Sequence, residues 1–253
     1  MLNVMTDSFR LIAVVYRLKD ILRKMKSLQD DPNARTVIAI GLRDYSAPNA
    51  WNTYRDVITT VVNTYMADIV IATSSVNSMK DLARCYAAPP IAIRTPNARF
   101  PSLIRHGEFV APLTKYTNAN ATVGLSYQLG ALIYELPRRA PDPTRIPYTN
   151  CQSINLASLD VICASGQPHP LNATISKGVT GYVNGSQKIV FLSETKGSFE
   201  NMITDLALIG FVFRQRMAWL VFDVHLDDPT GTCVPKTKLL QDLCENFKGR
   251  AAC

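Results

Sequence analysis

Short apolar runs that alternate with stretches of helical period leave this chain few folds to choose from. Thr36-Val37-Ile38-Ala39-Ile40, Asp68-Ile69-Val70-Ile71-Ala72, Ala121-Thr122-Val123-Gly124-Leu125 and Met217 to Leu226 each read as a strand apolar on both faces. Such strands belong to parallel sheets covered by helices. Between and around them, apolar residues recur at three- and four-residue steps. Leu11, Val14, Val15, Leu18, Ile21, Leu22, Met25 and Leu28 mark a helix from Phe9 to Leu28, with Ser8 as its N-cap. Tyr54, Val57, Ile58, Val61, Val62 and Tyr65 mark a second. Phe199, Met202, Ile203, Leu206, Ile209 and Phe213 mark a third behind Ser198, and a final helix is expected from Thr237 to Phe247. A less regular stretch near Glu108–Tyr116 is also helical in spacing. Residues 137–196 lack helical period and read as a β-rich insertion. The expected fold is α/β, of (β/α)8 TIM-barrel type, holding the C-terminal half (strands 5–8) with that insertion before the last helix–strand unit. The expected segments are barrel units over 1–136, the inserted subdomain over 137–196, and the last helix, strand and C-terminal helix over 197–253. A half-barrel leaves two sheet edges open, so the chain is expected to need the other half, a partner chain or a rearrangement.

Composition narrows the function classes. Apolar residues make up 47% of the 253 positions and charged residues 19%, which suits a globular core rather than disorder. No run of apolar residues is long enough to span a bilayer. The net charge of +7 comes from scattered Lys and Arg. The densest group, Arg17, Lys19, Arg23, Lys24 and Lys26, lies on a helix whose other face is apolar, and reads as a solvated face. Neither a nucleic-acid nor a membrane partner is therefore expected. Six cysteines form no C-x-x-C pair, so neither a zinc ribbon nor a thioredoxin-like motif is present. Three N-glycosylation sequons begin at Asn120, Asn172 and Asn184. With an even cysteine count they point to a secreted, extracellular protein. The first residues carry no signal-peptide pattern, since Asp7 interrupts them and Leu11–Val15 is too short an apolar stretch. Either the protein is cytosolic or the true N-terminus lies upstream.

The last strand holds the most informative side chains. Alternation puts Leu220, Phe222, Val224 and Leu226 on one face and Trp219, Val221, Asp223, His225 and Asp227 on the other, toward the barrel interior. Three readings compete for that second face. Asp223, His225 and Asp227 are suitable metal ligands; Trp219 with carboxylates could hold a sugar; or Trp219 could fill the core while the acids bond loop amides. No G-x-S-x-G elbow, P-loop or G-x-G-x-x-G occurs. No cofactor or metal is expected. His106 and His169 lie in polar, proline-containing stretches and read as surface residues, as does Trp51 near a helix start.

The block Ser198-Phe199-Glu200, Met217-Ala218-Trp219, Asp223 and Asp227 through Cys233 resembles the end of family 18 glycoside hydrolases, which include chitinases and inactive chitinase-like lectins. Leu159-Asp160-Val161-Ile162-Cys163 resembles that family's Tyr-Tyr-Glu-Val-Cys segment. Val123-Gly124-Leu125, Asp68 to Thr73 and Val37–Ile40 are similar to its seventh, sixth and fifth strands. Cys85-Tyr86-Ala87-Ala88-Pro89-Pro90 and Cys151-Gln152-Ser153 resemble divergent secreted members from ticks and related arthropods. The departures bear on activity. The family's Asp-x-x-Asp-x-Asp-x-Glu motif supplies the acid for glycoside cleavage, and it is absent from this sequence. The family's acetamide-holding Tyr-Asp pair falls on Ser74 and Ser75, and its Tyr-Gly-Arg on Leu129-Gly130-Ala131. Trp219, the floor of the sugar subsite, is retained. The resemblance thus implies a catalytically inactive, secreted chitinase-like protein with no catalytic residue of its own. It would bind chitin or N-acetylglucosamine oligosaccharide through Trp219, Asp223, Ser74 and Ser75, or act as an extracellular interaction protein. The alternatives are a divergent chitinase whose Glu lies in a missing N-terminal segment, and a secreted scaffold without a sugar site. The same resemblance pairs Cys163 with Cys233; Cys85 with Cys151 follows as the second pair, leaving Cys244 with Cys253.

Overall fold

A computed structural model describes residues 2–4, 8–28, 30–31, 33–42, 49–64, 67–75, 85–95, 101–114, 121–137, 149–164, 169–170, 179–184, 188–193, 204–208, 217–227 and 240. In chain order the elements are β1 (Leu2–Val4), α1 (Ser8–Ser27), β2 (Val37–Leu42), α2 (Ala50–Asn63), β3 (Ile69–Ala72), β4 (Cys85–Tyr86), α3 (Leu103–Thr114), β5 (Thr122–Gln128), β6 (Ala131–Glu135), β7 (Asn150–Cys151), β8 (Ser153–Ala157), α4 (Leu159–Ala164), β9 (His169–Pro170), β10 (Val179–Asn184), β11 (Lys188–Ser193) and β12 (Met217–Phe222). They gather into two compact units, each assembled from three stretches. The first is Met1–Ser74, Arg105–Ser126 and Ala207–Leu220; the second is Ser75–Ile104, Tyr127–Leu206 and Val221–Cys253.

The first unit is built on a sheet of order β1-β2-β3-β5-β12. The pairs β1–β2, β2–β3 and β3–β5 are parallel, with Leu2 opposite Ile40, Val37 opposite Ile69 and Ile69 opposite Thr122. Consecutive burial of Val70, Ile71 and Ala72 shows why β3 carries no polar alternation: both faces are covered. α2 seals the sheet with Trp51, Tyr54, Val57, Ile58, Val61 and Val62, all buried, and the Tyr54 hydroxyl donates to Ile40 O at 2.8 Å. The sheet has five strands and is open, so it does not close into a barrel among the described residues. The extra strand is β1, too short to be read from sequence. β5 runs on to Gln128, and β12 ends at Phe222 rather than at Leu226.

Trp51 and His106 are corrections. Both are buried, His106 completely. α3 starts at Leu103, so His106 lies one turn on from Leu103 and one turn before Val110, on that helix's covered face. Its ring stands 5.1 Å from that of Trp51 and 5.4 Å from that of Tyr54, both edge-on, and Phe109 lies 5.1 Å from Trp51. Arg105 stacks 4.0 Å over the Trp51 ring. Desolvation there holds the guanidinium below its ordinary pKa.

At the start of the strands, Asp68 ties three elements together. Lys26 Nζ at the end of α1 donates to its Oδ1 at 2.7 Å, Thr36 N–H donates to its Oδ2 at 2.8 Å, and its own carbonyl accepts from Thr122 N–H. The Lys26 bond and then the Thr36 amide hold the Asp68 carboxyl below its usual pKa, against a smaller opposing effect of burial. A carboxyl depressed in the folded state adds stability above its unfolded pKa and loses it as pH falls through the folded value. Asp68→Asn should therefore cost about 1 kcal/mol near neutral pH, discounted for the exposed lysine. The difference in Tm from wild type should shrink as the pH drops below about 4. Thermal melts of the two proteins across that range would refute this if the gap stayed constant.

The second unit is built on an antiparallel sheet of order β8-β6-β11-β10-β9. β6 lies between β8 and β11, with Tyr134 opposite Ile154 on one side and Ile189 on the other. This sheet begins with β6, ahead of Pro137, where the sequence places the start of the insertion. β4 and β7 form a separate ribbon in which Cys85 and Cys151 stand directly opposite and are joined by a disulfide. Beneath it Ala87, Ala88, Leu132, Tyr134, Leu136 and Ile154 form one core cluster, and the Tyr134 hydroxyl donates to Ala88 O at 2.6 Å. Cys233, Cys244, Cys253, Asn120 and Asn172 lie outside the described residues, as do the side chains of Cys163, His169 and Asn184. Of the expected third helix, 204–208 is described and helical; of the C-terminal one, Leu240 alone.

Candidate functional site

In parallel α/β sheets the chemistry gathers at the C-terminal ends of the strands, where the chain leaves the sheet. In the first unit those ends are joined by two serines. Ser74, just after β3, donates its hydroxyl to Ser126 O at 2.8 Å and accepts from Ser126 N–H at 3.2 Å; Ser74 N–H donates to the Ser126 hydroxyl at 2.9 Å. Ser74 and Ser126 are both fully buried. Parallel strands diverge at their ends as the backbone ladder stops, and here two short hydroxyl side chains continue it. Alternation along β5 places Ser126 and Gln128 on one face, polar residues after the apolar stretch Val123–Leu125. Neither was singled out from the sequence, although that pair of polar residues within an apolar run was the available signal.

Trp219 lies on β12 in the same unit. Its position depends on Gly124. A Cβ built at Gly124 would collide with Ala218 O and lie 2.8 Å from Ile71 Cδ1. The lack of a side chain therefore lets β12 approach β5 closely, immediately beside the residue that precedes Trp219. Trp219 is only partly covered, whereas its indole Nε1 is buried. What remains open is therefore not the polar atom, an arrangement suited to stacking against an apolar face.

The second unit contains Ser75, Gln128, Asp223, His225 and Asp227. Ser75 is buried. Asp223 follows β12 in the left-handed region, at φ 58°. Asp is among the few residues that adopt this conformation readily. Gln128 Nε2 donates to Asp223 Oδ2 at 3.0 Å, and Leu129 N–H donates to Phe222 O at 3.0 Å beside it. The chain then enters a 3-10 turn, Val224–Leu226, and Asp227 Oδ2 accepts from Leu240 N–H at 3.0 Å. The left-handed turn breaks the alternation expected through Leu226, so Asp223, His225 and Asp227 do not share a strand face. Gly130, at φ 87°, sits so tightly against Leu226 and Ala157 O that a Cβ would lie 2.9 Å and 3.0 Å from them. Among the described residues following β3, β5 and β12, the carboxylates are Asp223 and Asp227, and each already accepts a hydrogen bond. The described residues hold no cluster of three or more metal-ligating side chains and no helix long and apolar enough to cross a membrane.

No family model and no curated protein matches the sequence. Solved structures do resemble the fold. Human YKL-39, described as a pseudo-chitinase with retained chitooligosaccharide binding properties, superposes with a TM-score of 0.56 at 12% identity, over 96% of this chain and 65% of that one. A Group IV chitinase of Ostrinia furnacalis gives 0.60 at 10% identity, over 98% and 66%. A glycoside hydrolase family 18 N-acetylglucosaminidase from Paenibacillus barengoltzii gives 0.51 at 10%, over 91% and 62%. The chain thus has the fold of family 18 chitinases and chitinase-like proteins, and spans just under two thirds of their length.

Proposed function

We propose that this chain is a chitinase-like protein that holds chitin-type oligosaccharide against Trp219 without hydrolysing it, and that it works outside the cell. The observation that carries the reading is the partial exposure of Trp219 with its Nε1 buried. A pyranose presents an apolar face of C–H groups that can cover such an indole. Similarity in fold to a pseudo-chitinase that retains chitooligosaccharide binding supports it. The serines at positions 74 and 75, where the resemblance would put an acetamide-holding Tyr-Asp pair, support a binding role over catalysis. Ser74 and Ser75 are buried, so the proposed sugar contact falls to Trp219. The Cys85–Cys151 bridge and the sequons at Asn120, Asn172 and Asn184 suit an oxidising, secretory route.

Adding chitin oligomers should shift the indole emission of the wild type, and Trp219→Phe should abolish the shift and weaken binding by about tenfold. Trp51, buried in its aromatic cluster, contributes a constant background. No chromophore should be released from a chitobioside above a buffer control. An unchanged emission, together with a loss of about 3–5 kcal/mol of stability in Trp219→Ala, would make Trp219 a core residue and sink the proposal. Turnover by the purified chain would instead favour a divergent hydrolase.

A further inference from the structure

On the strands beside β12 in the first unit, the polar groups are buried while part of Trp219 stays open. In that sheet β12 lies next to β5, and β5 next to β3. At the C-terminal ends of β3 and β5 the polar residues within this unit are Thr73, Ser74 and Ser126, and none is more than 2% exposed. Thr73 N–H donates to Ile40 O at 2.8 Å, and the two serines exchange three hydrogen bonds with each other. Trp219 follows the same division, since its Nε1 is buried and the residue as a whole is only half-buried.

Directed hydrogen bonds and an open aromatic ring select ligands differently. A site that hydrogen-bonds a substituent rejects the analogue lacking it by about 10⁴-fold or more, because its own buried polar groups are then left unpaired. An apolar pocket tells one small group from another by only about 10–200-fold. An open ring face does not enclose the group at all, and falls at or below the low end of that range. In a β-linked gluco-configured pyranose every ring substituent is equatorial, so each face carries only C–H groups. That face is what an indole covers, and it is the same whether the carbon at position 2 carries an acetamide or a hydroxyl.

We infer that Trp219 reads the ring face and not the N-acetyl group, so that the chain takes β-linked glucose oligosaccharides as readily as those of N-acetylglucosamine; this rests on Trp219 being a sugar platform, as proposed above. The ligand class is thus the β-linked gluco-configured oligosaccharide, cello- as well as chito-. An equatorial substituent at position 2 projects from the rim of the stacked ring. Ser74 and Ser126, committed to each other in the buried strand ends, do not reach out to it.

Calorimetric titration of the full chain with chitopentaose and with cellopentaose tests this, with indole emission followed in parallel. Both sugars should bind and shift the emission, with Kd values that agree within about tenfold. That ratio is read on the unaltered chain and needs no variant. Trp219→Phe should then weaken both sugars by the same factor, about tenfold. Chitopentaose that binds and shifts the emission while cellopentaose binds more than about tenfold more weakly would show that the acetamide is read; the inference is then overturned and the platform stands. A preference of that size for cellopentaose overturns it equally. If neither sugar binds, or if Trp219→Phe leaves both affinities unchanged, the platform is lost and the inference falls with it.

Discussion

Gly124→Ala is expected to unfold the first unit or to cost it more than about 3 kcal/mol, the upper range for a forced overpacking. The added methyl meets backbone on one side, Ala218 O, and the tip of Ile71 on the other. Ile71 can rotate away, but a carbonyl in a strand moves only with its strand. β12 would have to withdraw from β5, carrying Trp219 with it. Chemical denaturation should show the loss of stability, and emission of Trp219 should redden with it. A variant that folds with wild-type stability would show that the two strands are not in close approach here. No polar group is added, so the loss would come from the forced separation of the two strands.

Cys85→Ser with Cys151→Ser is expected to cost about 4 kcal/mol, because the bridge closes a loop with a sequence separation of 66 residues and so restrains the unfolded chain. The two-residue strands β4 and β7 are too short to hold one another without it. Tyr86, partly buried against the cluster around Leu132 and Tyr134, should become mobile with them. Urea denaturation under oxidising conditions, compared with the double variant, measures this. Wild-type stability in the double variant would show that the ribbon is held by its packing instead.

Repetitive, local patterns made the parallel core legible in the sequence. The spacing of Tyr54, Val57, Ile58, Val61 and Val62 describes α2 because all of them are buried. The runs at Val37–Ile40 and Ile69–Ala72 describe strands for the same reason. What depends on a distant partner did not show. Ser126 and Gln128 look like the end of a strand until Ser74 and Asp223 satisfy their polar groups. His106 sits among polar and proline residues in sequence, and only the packing of α3 on α2 turns it inward. The spacing of Val14, Ile21, Met25 and Leu28 marks an apolar side without marking what covers it, and all four are exposed. At Asp223 a single left-handed residue ends β12, and nothing in the alternation of Trp219, Val221 and Asp223 announces it.

The reciprocal bonds between Ser74 and Ser126 bear on how this lineage can change. Each serine satisfies a buried backbone group of the other, so altering one alone leaves a buried donor or acceptor without its partner, at a cost of about 1–3 kcal/mol. A tyrosine at position 74 would also need room that a fully buried site does not have. Placing a larger side chain at position 74 therefore requires a matching change at Ser126, each harmful without the other. The clamp acts as a ratchet: each serine is held in place by the cost that its loss puts on the other.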